Sequence, residues 1–349
     1  MNAEALSLID KLSIEHRLSA EEYEFLILNR TADLSKLLAQ RACEVRNRIY
    51  GNTVFIRGLI EIGNFCKNDC LYCGIRRSNR NCMRYRLTDD EIMDCCHEGY
   101  ALGFRTFVLQ GGEDAQNSDE RICALLRRIK AAYPDCAVTL SLGERSYDSY
   151  AALRQAGADR YLLRHETAVK SYYEFLHPKE MQFENRVRCL KDLKQLGYQV
   201  GCGFMVGAPD QTVRHIASDL VFVQEFQPQM CGIGPFIPHK DTCFAERAAG
   251  SAELTCFLLS ILRLIKPNIL LPATTALGSI ASDGRERGIL SGANVVMPNL
   301  SPSAVRKKYM LYDNKISDGE ESAQCIDALK QRMKTIGYEI VTDRGDIKL

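Results

Sequence analysis

The chain has 349 residues, with 45 Lys and Arg against 44 Asp and Glu and a formal charge of +1. Near-neutrality without a basic stripe excludes a general nucleic-acid binder. No apolar run, not even 256–265, has the length of a bilayer span, and the acid-bearing start at 1–10 has no signal-peptide core.

Residues 2–48 read as helices, with Ser19 ahead of Glu21 and Glu22 as a capped helix start. From residue 50 onward short β-branched runs alternate with amphipathic segments. The spacing predicts strands over 53–62, 106–110, 137–142, 160–164, 199–206, 230–237, 270–275 and 294–297. It predicts helices over 88–102, 118–132, 147–156, 183–196, 211–226, 251–265, 284–290 and 302–311. Gly103, Gly157 and Gly197 stand where helices close in left-handed geometry. Eight such alternations point to a complete parallel (β/α)8 TIM-type barrel with an N-terminal helical extension. A six-stranded partial barrel with a separate C-terminal piece is the alternative. No low-complexity linker interrupts the rhythm. The expected organisation is a helical extension over 1–48, one barrel over 49–320, and a C-terminal helix and tail over 321–349.

Strand one runs into Cys66-Lys-Asn-Asp-Cys70-Leu-Tyr72-Cys73-Gly74, on the barrel face where active sites form. Three thiols on one short loop can ligate three irons of a [4Fe–4S] cube and leave the fourth iron open. The competing assignment is structural zinc, which wants four ligands, and the next cysteine is Cys82. Tyr72 sets an aromatic ring beside the thiols. This motif resembles the radical S-adenosylmethionine (radical SAM) enzymes. That resemblance implies SAM chelated at the open iron and cleaved by one electron to a 5′-deoxyadenosyl radical. Most of the other cysteines, such as Cys123, Cys136, Cys189, Cys202, Cys231 and Cys256, stand singly in apolar or helical stretches. They read as buried free thiols of a cytoplasmic protein in a reducing, anaerobic cell.

Other polar groups fall at strand ends. Gln110-Gly111-Gly112-Glu113-Asp114 follows strand two, and paired glycines admit close backbone approach to a ligand or simply make a turn. Arg160-Tyr-Leu-Leu-Arg164-His165-Glu166-Thr167 ends strand four. There Glu166 can accept from ribose hydroxyls and Arg160 or Arg164 can hold an anion. A surface salt-bridge cluster is the other reading. Arg186 can fork onto a carboxylate from the start of a helix, or lie solvated on its face. Pro272-Ala-Thr274-Thr275-Ala276 offers two hydroxyls for a polar ligand, or only the β-propensity of Thr. His239 is placed to face the barrel mouth. His97, His177 and His215 are read as peripheral.

Taken together, Asn64 to Arg77, Val108 to Asp114, Thr139-Leu-Ser-Leu-Gly-Glu144, Ala158 to Thr167, Gly232-Ile-Gly-Pro-Phe-Ile-Pro-His239, Pro272 to Ala276 and Gly292 to Asn299 are similar to the HydE family of [FeFe]-hydrogenase maturases. The similarity runs in chain order over roughly 20–320. It implies SAM contacts from Tyr72, Gly111, Gly112, Glu113, Arg164, Glu166 and Arg186. Glu166 would meet the ribose and Arg186 the carboxylate. It implies cluster ligation by Cys66, Cys70 and Cys73. Substrate contacts would come from Arg160, Thr139, Thr274, Thr275, Met297 and Tyr309 or Tyr312.

The substrate so implied is an organometallic iron–cysteinate carrying CO and cyanide, attacked at sulfur by the adenosyl radical. The partners are donor and scaffold maturases and an electron donor such as ferredoxin or flavodoxin, with no nucleic acid and no membrane. Some members carry a second cluster on three C-terminal cysteines. The matching segment, Lys315 to Ala328, keeps only Cys325 and has Ser317 instead, so one cluster is expected. The competing functions are a methylornithine synthase- or biotin synthase-like radical SAM enzyme and a non-catalytic iron–sulfur carrier.

Overall fold

A computed structural model of the chain describes residues 2–316, 319 and 322–348. Three helices open it: α1 (Ala3–Glu15), α2 (Ala20–Leu28) and α3 (Ala32–Tyr50). Ser19 caps α2 as expected. Its hydroxyl accepts from the Glu22 amide, and the Glu22 carboxylate returns the bond to the Ser19 amide. These helices pack on the outer helices of the main body and share its hydrophobic core.

The main body alternates strands and helices: β1 (Thr53–Ile56), β2 (Gly58–Gly63), α4 (Asp89–Ala101), β3 (Thr106–Gly111), α5 (Asp119–Ala132), β4 (Ala137–Ser141), α6 (Tyr147–Gln155) and β5 (Arg160–Leu162). It continues through α7 (Lys170–Leu176), α8 (Phe183–Gln195), β6 (Gln199–Cys202), β7 (Met205–Val206), α9 (Val213–Phe226), β8 (Met230–Cys231), β9 (Gly234–Pro235) and α10 (Ala252–Ile265). Then come α11 (Thr275–Ile280), α12 (Gly284–Ile289), β10 (Val295–Val296), α13 (Ser303–Arg306), α14 (Ile326–Thr335) and β11 (Glu339–Val341).

All named strand pairs are parallel. A six-stranded sheet runs β2-β3-β4-β5-β6-β8, a three-stranded sheet runs β10-β1-β11, and β7 pairs with β9. Single parallel bridges join Met230 to Leu270, Pro272 to Val295 and Leu59 to Asn299. Helices between successive parallel strands cover the outer face, and the strands bury nearly every side chain. No helix among the described residues is long and apolar enough to cross a membrane.

Several strands are more broken than the apolar runs suggested. The run 53–62 divides at Arg57. The run 199–206 divides at Gly203, whose φ is +155° and whose added Cβ would lie 2.0 Å from the Gly232 carbonyl oxygen. The run 270–275 keeps only the bridges at Leu270 and Pro272, because Thr275 already begins α11. The helix expected over 302–311 shrinks to α13, and the chain beyond it instead passes beside the cysteine loop, where Gly74 N donates to Leu311 O.

Strand β11 and the segment after it cover the end of the sheet at which the strands begin. Here the expectation for Arg160 is corrected. Arg160 is fully buried at the start of β5, where its guanidinium donates to Thr106 Oγ1 (2.9 Å), Arg344 O (2.8 Å) and Asp346 Oδ1 (2.6 Å). Against the desolvation of partial burial, Arg160 holds the Asp346 carboxyl well below the usual carboxylate range. Arg57 lies beside this network and donates to Met230 Sδ and Gly345 O.

Candidate functional site

At the opposite end, where the strands finish, a cavity of about 330 Å³ opens. Cys66, Cys70 and Cys73 line it together. Their loop is held by its own backbone and by one side chain absent from the sequence reading, Arg84, which donates to the carbonyls of Asn64, Ile75, Arg76 and Asn79. Lys67 N also donates to Glu113 O (2.8 Å). Gly74 passes so near the 309–312 segment that an added Cβ would lie 2.2 Å from Met310 O. Gly112 is equally constrained, since its Cβ would stand 2.3 Å from Phe65 O and 2.8 Å from Cys66 Cβ. The second glycine of the pair is therefore needed for the cysteine loop to dock.

Burial pushes the Cys66 and Cys70 thiols up and that of Cys73 to about 12. Burial of this kind favours the neutral thiol, and the positive charge of metal ions would favour the thiolate. Three such donors from one loop suit three irons of a cube.

The strand-four motif supplies the opposing polar wall. Glu166 is buried with φ +65°, a left-handed conformation rare outside glycine. Its backbone is pinned, with Glu166 N donating to Gly203 O (3.0 Å). A fully buried pair lies behind it. His165 Nδ1 accepts from Gly203 N, and Asp219 Oδ1 lies 3.4 Å from His165 Nε2 while accepting from Ala168 N. Burial raises the Asp219 carboxyl above its ordinary value. Glu166 Oε2 has no hydrogen-bond partner, and neither do Arg164 Nε and Nη2. Arg164 Nη2 is 3.4 Å from Glu166 Oε2, close enough to attract but misaligned for a hydrogen bond. An unpartnered buried carboxylate oxygen in a cavity wall suits the hydroxyls of a ribose.

Arg186, at the start of α8, donates to Glu144 Oε1 (2.5 Å) and Arg164 O (2.6 Å). Against the desolvation of burial, contacts led by Tyr173 and Glu144 keep its guanidinium charged. Tyr72 OH bonds His177 Nε2 (3.2 Å), and His177 Nδ1 donates to Tyr173 O (2.8 Å). Burial, then Arg186, pulls the His177 pKa down to about 3, so the ring is neutral and accepts from Tyr72. His177 is thus no peripheral residue. His177 closes α7, a two-turn helix too short to carry a clear apolar period, so the sequence offered no signal for it.

Of the other expected residues, Gly111, Gly112, Glu113, Thr274, Met297, Tyr309 and Tyr312 line the cavity. Arg160 does not, being committed to the floor. Thr275 turns into α11, and Thr139 is buried within β4 away from the lining. The segment expected to lack a second cluster includes Ser317, which lies outside the described residues. Cys325 is half-buried at the start of α14.

Three thiols from one loop beside a polar, partly unpartnered wall define the radical SAM class of enzymes, and residues 60–223 match the Radical SAM superfamily. The [FeFe] hydrogenase maturase subunit HydE of Thermotoga maritima is 43% identical over 314 residues, covering 90% of this chain and 89% of its own. The 3-methylornithine synthase of Methanosarcina acetivorans is 27% identical, covering 95% and 92%. Among solved structures, methylornithine synthase (PylB) superposes with a TM-score of 0.84 at 25% identity over 96% of this chain and 97% of its own. The hydrogenase maturase HydG shares the fold, with a TM-score of 0.78 at 21% identity over 97% of this chain and 76% of its own. The chain belongs to the HydE family of [FeFe] hydrogenase maturases.

Proposed function

We propose that the protein acts in hydrogenase cofactor assembly, processing a small iron–cysteinate that carries CO and cyanide within the barrel cavity. The observation that carries this is the 43% identity with HydE across nine-tenths of the chain. We read 49–320 as a complete eight-stranded barrel. The bridges Met230 to Leu270 and Pro272 to Val295, with β10 beside β1, support that reading.

Cys66, Cys70 and Cys73 would hold one [4Fe–4S] cluster. Gly111, Gly112, Glu113, Arg164, Glu166, Arg186 and Tyr72 would hold SAM. When bound, the cluster and SAM supply one-electron cleavage to a carbon-centred adenosyl radical. The protein's own share is positional. Glu166 and Arg186 fix the two ends of the cofactor. Thr274, Met297, Tyr309 and Tyr312 set a second molecule beneath it, and the lining excludes water. Donor and scaffold maturases, an electron donor such as ferredoxin or flavodoxin and a cytoplasmic, anaerobic setting belong to the same reading.

The likeness to methylornithine synthase supports a second reading, a carbon-skeleton rearrangement of an amino acid in the same cavity. Anaerobic EPR of dithionite-reduced, iron-reconstituted protein tests the class. A single [4Fe–4S] signal that shifts with SAM is expected, and a signal indifferent to SAM would make the protein a carrier. Turnover of synthetic iron–cysteinate rather than L-lysine, the isomer of 3-methylornithine, then separates the two enzymes. Iron content unchanged in Cys325→Ser is expected for a single cluster, and loss of iron would refute it.

A further inference from the structure

Gly111, Gly112, Gly143, Gly232 and Gly234 line the cavity. Four of them answer to needs inside the protein. Gly143 has φ +79° and its added Cβ would strike the Glu113 side chain at 1.9 Å. That of Gly112 would strike Phe65 O at 2.3 Å. That of Gly234 would come within 2.8 Å of Thr274 Oγ1, and that of Gly111 within 3.2 Å of Gly63 O.

Gly232 has no such need. Its φ lies outside the left-handed range, and a Cβ there would meet nothing nearer than Pro272 Cγ, at 3.9 Å. Its backbone is held in an ordinary way, with its N donating to Cys202 O (2.9 Å). A glycine between strands carries an entropic penalty and packs nothing. Here that penalty relieves no strain and no clash at the Cα of Gly232 itself, and the close approach of Gly203 to its carbonyl depends on Gly203 having no side chain. What the missing side chain does leave is room, on the cavity side, next to Pro272. Two residues along from Pro272, Thr274 Oγ1 is buried without a hydrogen-bond partner.

We propose that Gly232 is a specificity-determining residue. The space over its Cα receives the body of the second substrate, whose polar end bonds the Thr274 hydroxyl. The ligand class this fits is a compact molecule with one hydrogen-bonding end and a soft, sulfur-bearing or apolar body against Met297 and Pro272. The assignment rests on the proposed function only in needing a substrate below SAM, not in which substrate it is.

The test compares wild type with Gly232→Ala and Gly232→Val, all reconstituted with iron and reduced. Iron content and the SAM-induced EPR shift are expected to match in all three, which reports both folding and cofactor binding. The KM for synthetic iron–cysteinate is expected to rise a few-fold in the Ala variant and at least tenfold in the Val variant, with kcat in the Ala variant largely retained. Equal KM values across the series would overturn the proposal. Loss of the SAM shift in the Val variant with iron retained would also overturn it, because the space would then belong to SAM. Turnover of L-lysine but not iron–cysteinate by the wild type would remove the maturase reading, and the same KM series on lysine would still decide the role of Gly232.

Discussion

Lys315 and Glu61 form a buried ion pair that ties the 309–315 segment to the sheet. Glu61 is wholly buried in β2, and Lys315 is 8% exposed. Lys315 Nζ lies 2.5 Å from Glu61 Oε1 and donates to Tyr309 O at 3.0 Å. Glu61 Oε2 accepts from Asn299 Nδ2 at 3.0 Å. Changing Lys315→Met keeps an unbranched side chain one atom shorter and removes the cation. A carboxylate then remains inside the protein with one amide for company, at a cost of about 3–5 kcal/mol. Unfolding entropy of about 2.1 cal/mol/K per residue over 349 residues gives roughly 0.7 kcal/mol/K, so about 4 kcal/mol lowers Tm by roughly 5–6 °C.

The chain has no tryptophan, so the transition is followed by anaerobic far-UV circular dichroism of the iron-loaded protein. The pair Glu61→Gln with Lys315→Met removes both charges and is expected to recover more than half of that loss. A Lys315→Met shift below about 1 °C, or a double variant as unstable as the sum of the singles, would refute the reasoning. Because Tyr309 and Tyr312 line the cavity from this same segment, Lys315→Met is also expected to raise the substrate KM.

Three further outcomes are expected. Cys70→Ala abolishes the cube, and retention of about four irons per chain would sink the ligand assignment. Arg186→Leu weakens SAM binding roughly tenfold to a hundredfold, as for the loss of a charge-assisted hydrogen bond, with iron retained. Unchanged SAM affinity by calorimetry would remove Arg186 from the cofactor site. Asp346 has its folded pKa depressed, so its contribution to stability is present above its ordinary value of 3.8 and is lost as pH falls toward the folded value. The Tm gap between wild type and Asp346→Asn should therefore be full at neutral pH and narrow below about pH 4. A gap independent of pH would mean that the Arg160 pairing does not set it.

The alternation of β-branched runs with amphipathic helices made the sheet order legible, because each βα unit buries its own apolar face locally. The cysteine loop was legible because three thiols at that spacing have few other uses. What was missed depended on direction and distance. Arg160 opens its strand and Glu166 lies four positions beyond the end of it, so in a parallel sheet the two stand at opposite ends. Strand polarity alone would have put Arg160 on the floor. The 338–348 segment carries no periodicity that announces a pairing with β1, yet Glu339 sits beside Thr53. Arg84 gave no sign of its four carbonyl partners, since a loop arginine is solvated far more often than not. Thr275 was assigned to a strand by its β-branching, and helix α11 overrode that preference.

The floor has a consequence for how the protein is made. Arg57 meets Gly345 across 288 positions, and Arg160 meets Asp346 across 186. On a ribosome both guanidinium groups emerge long before the aspartate that balances Arg160. Until it arrives, Arg160 lacks its hydrogen-bonded carboxylate partner at the end of the sheet that the 338–348 segment covers. That end of the sheet is therefore completed only when residues 338–348 reach it.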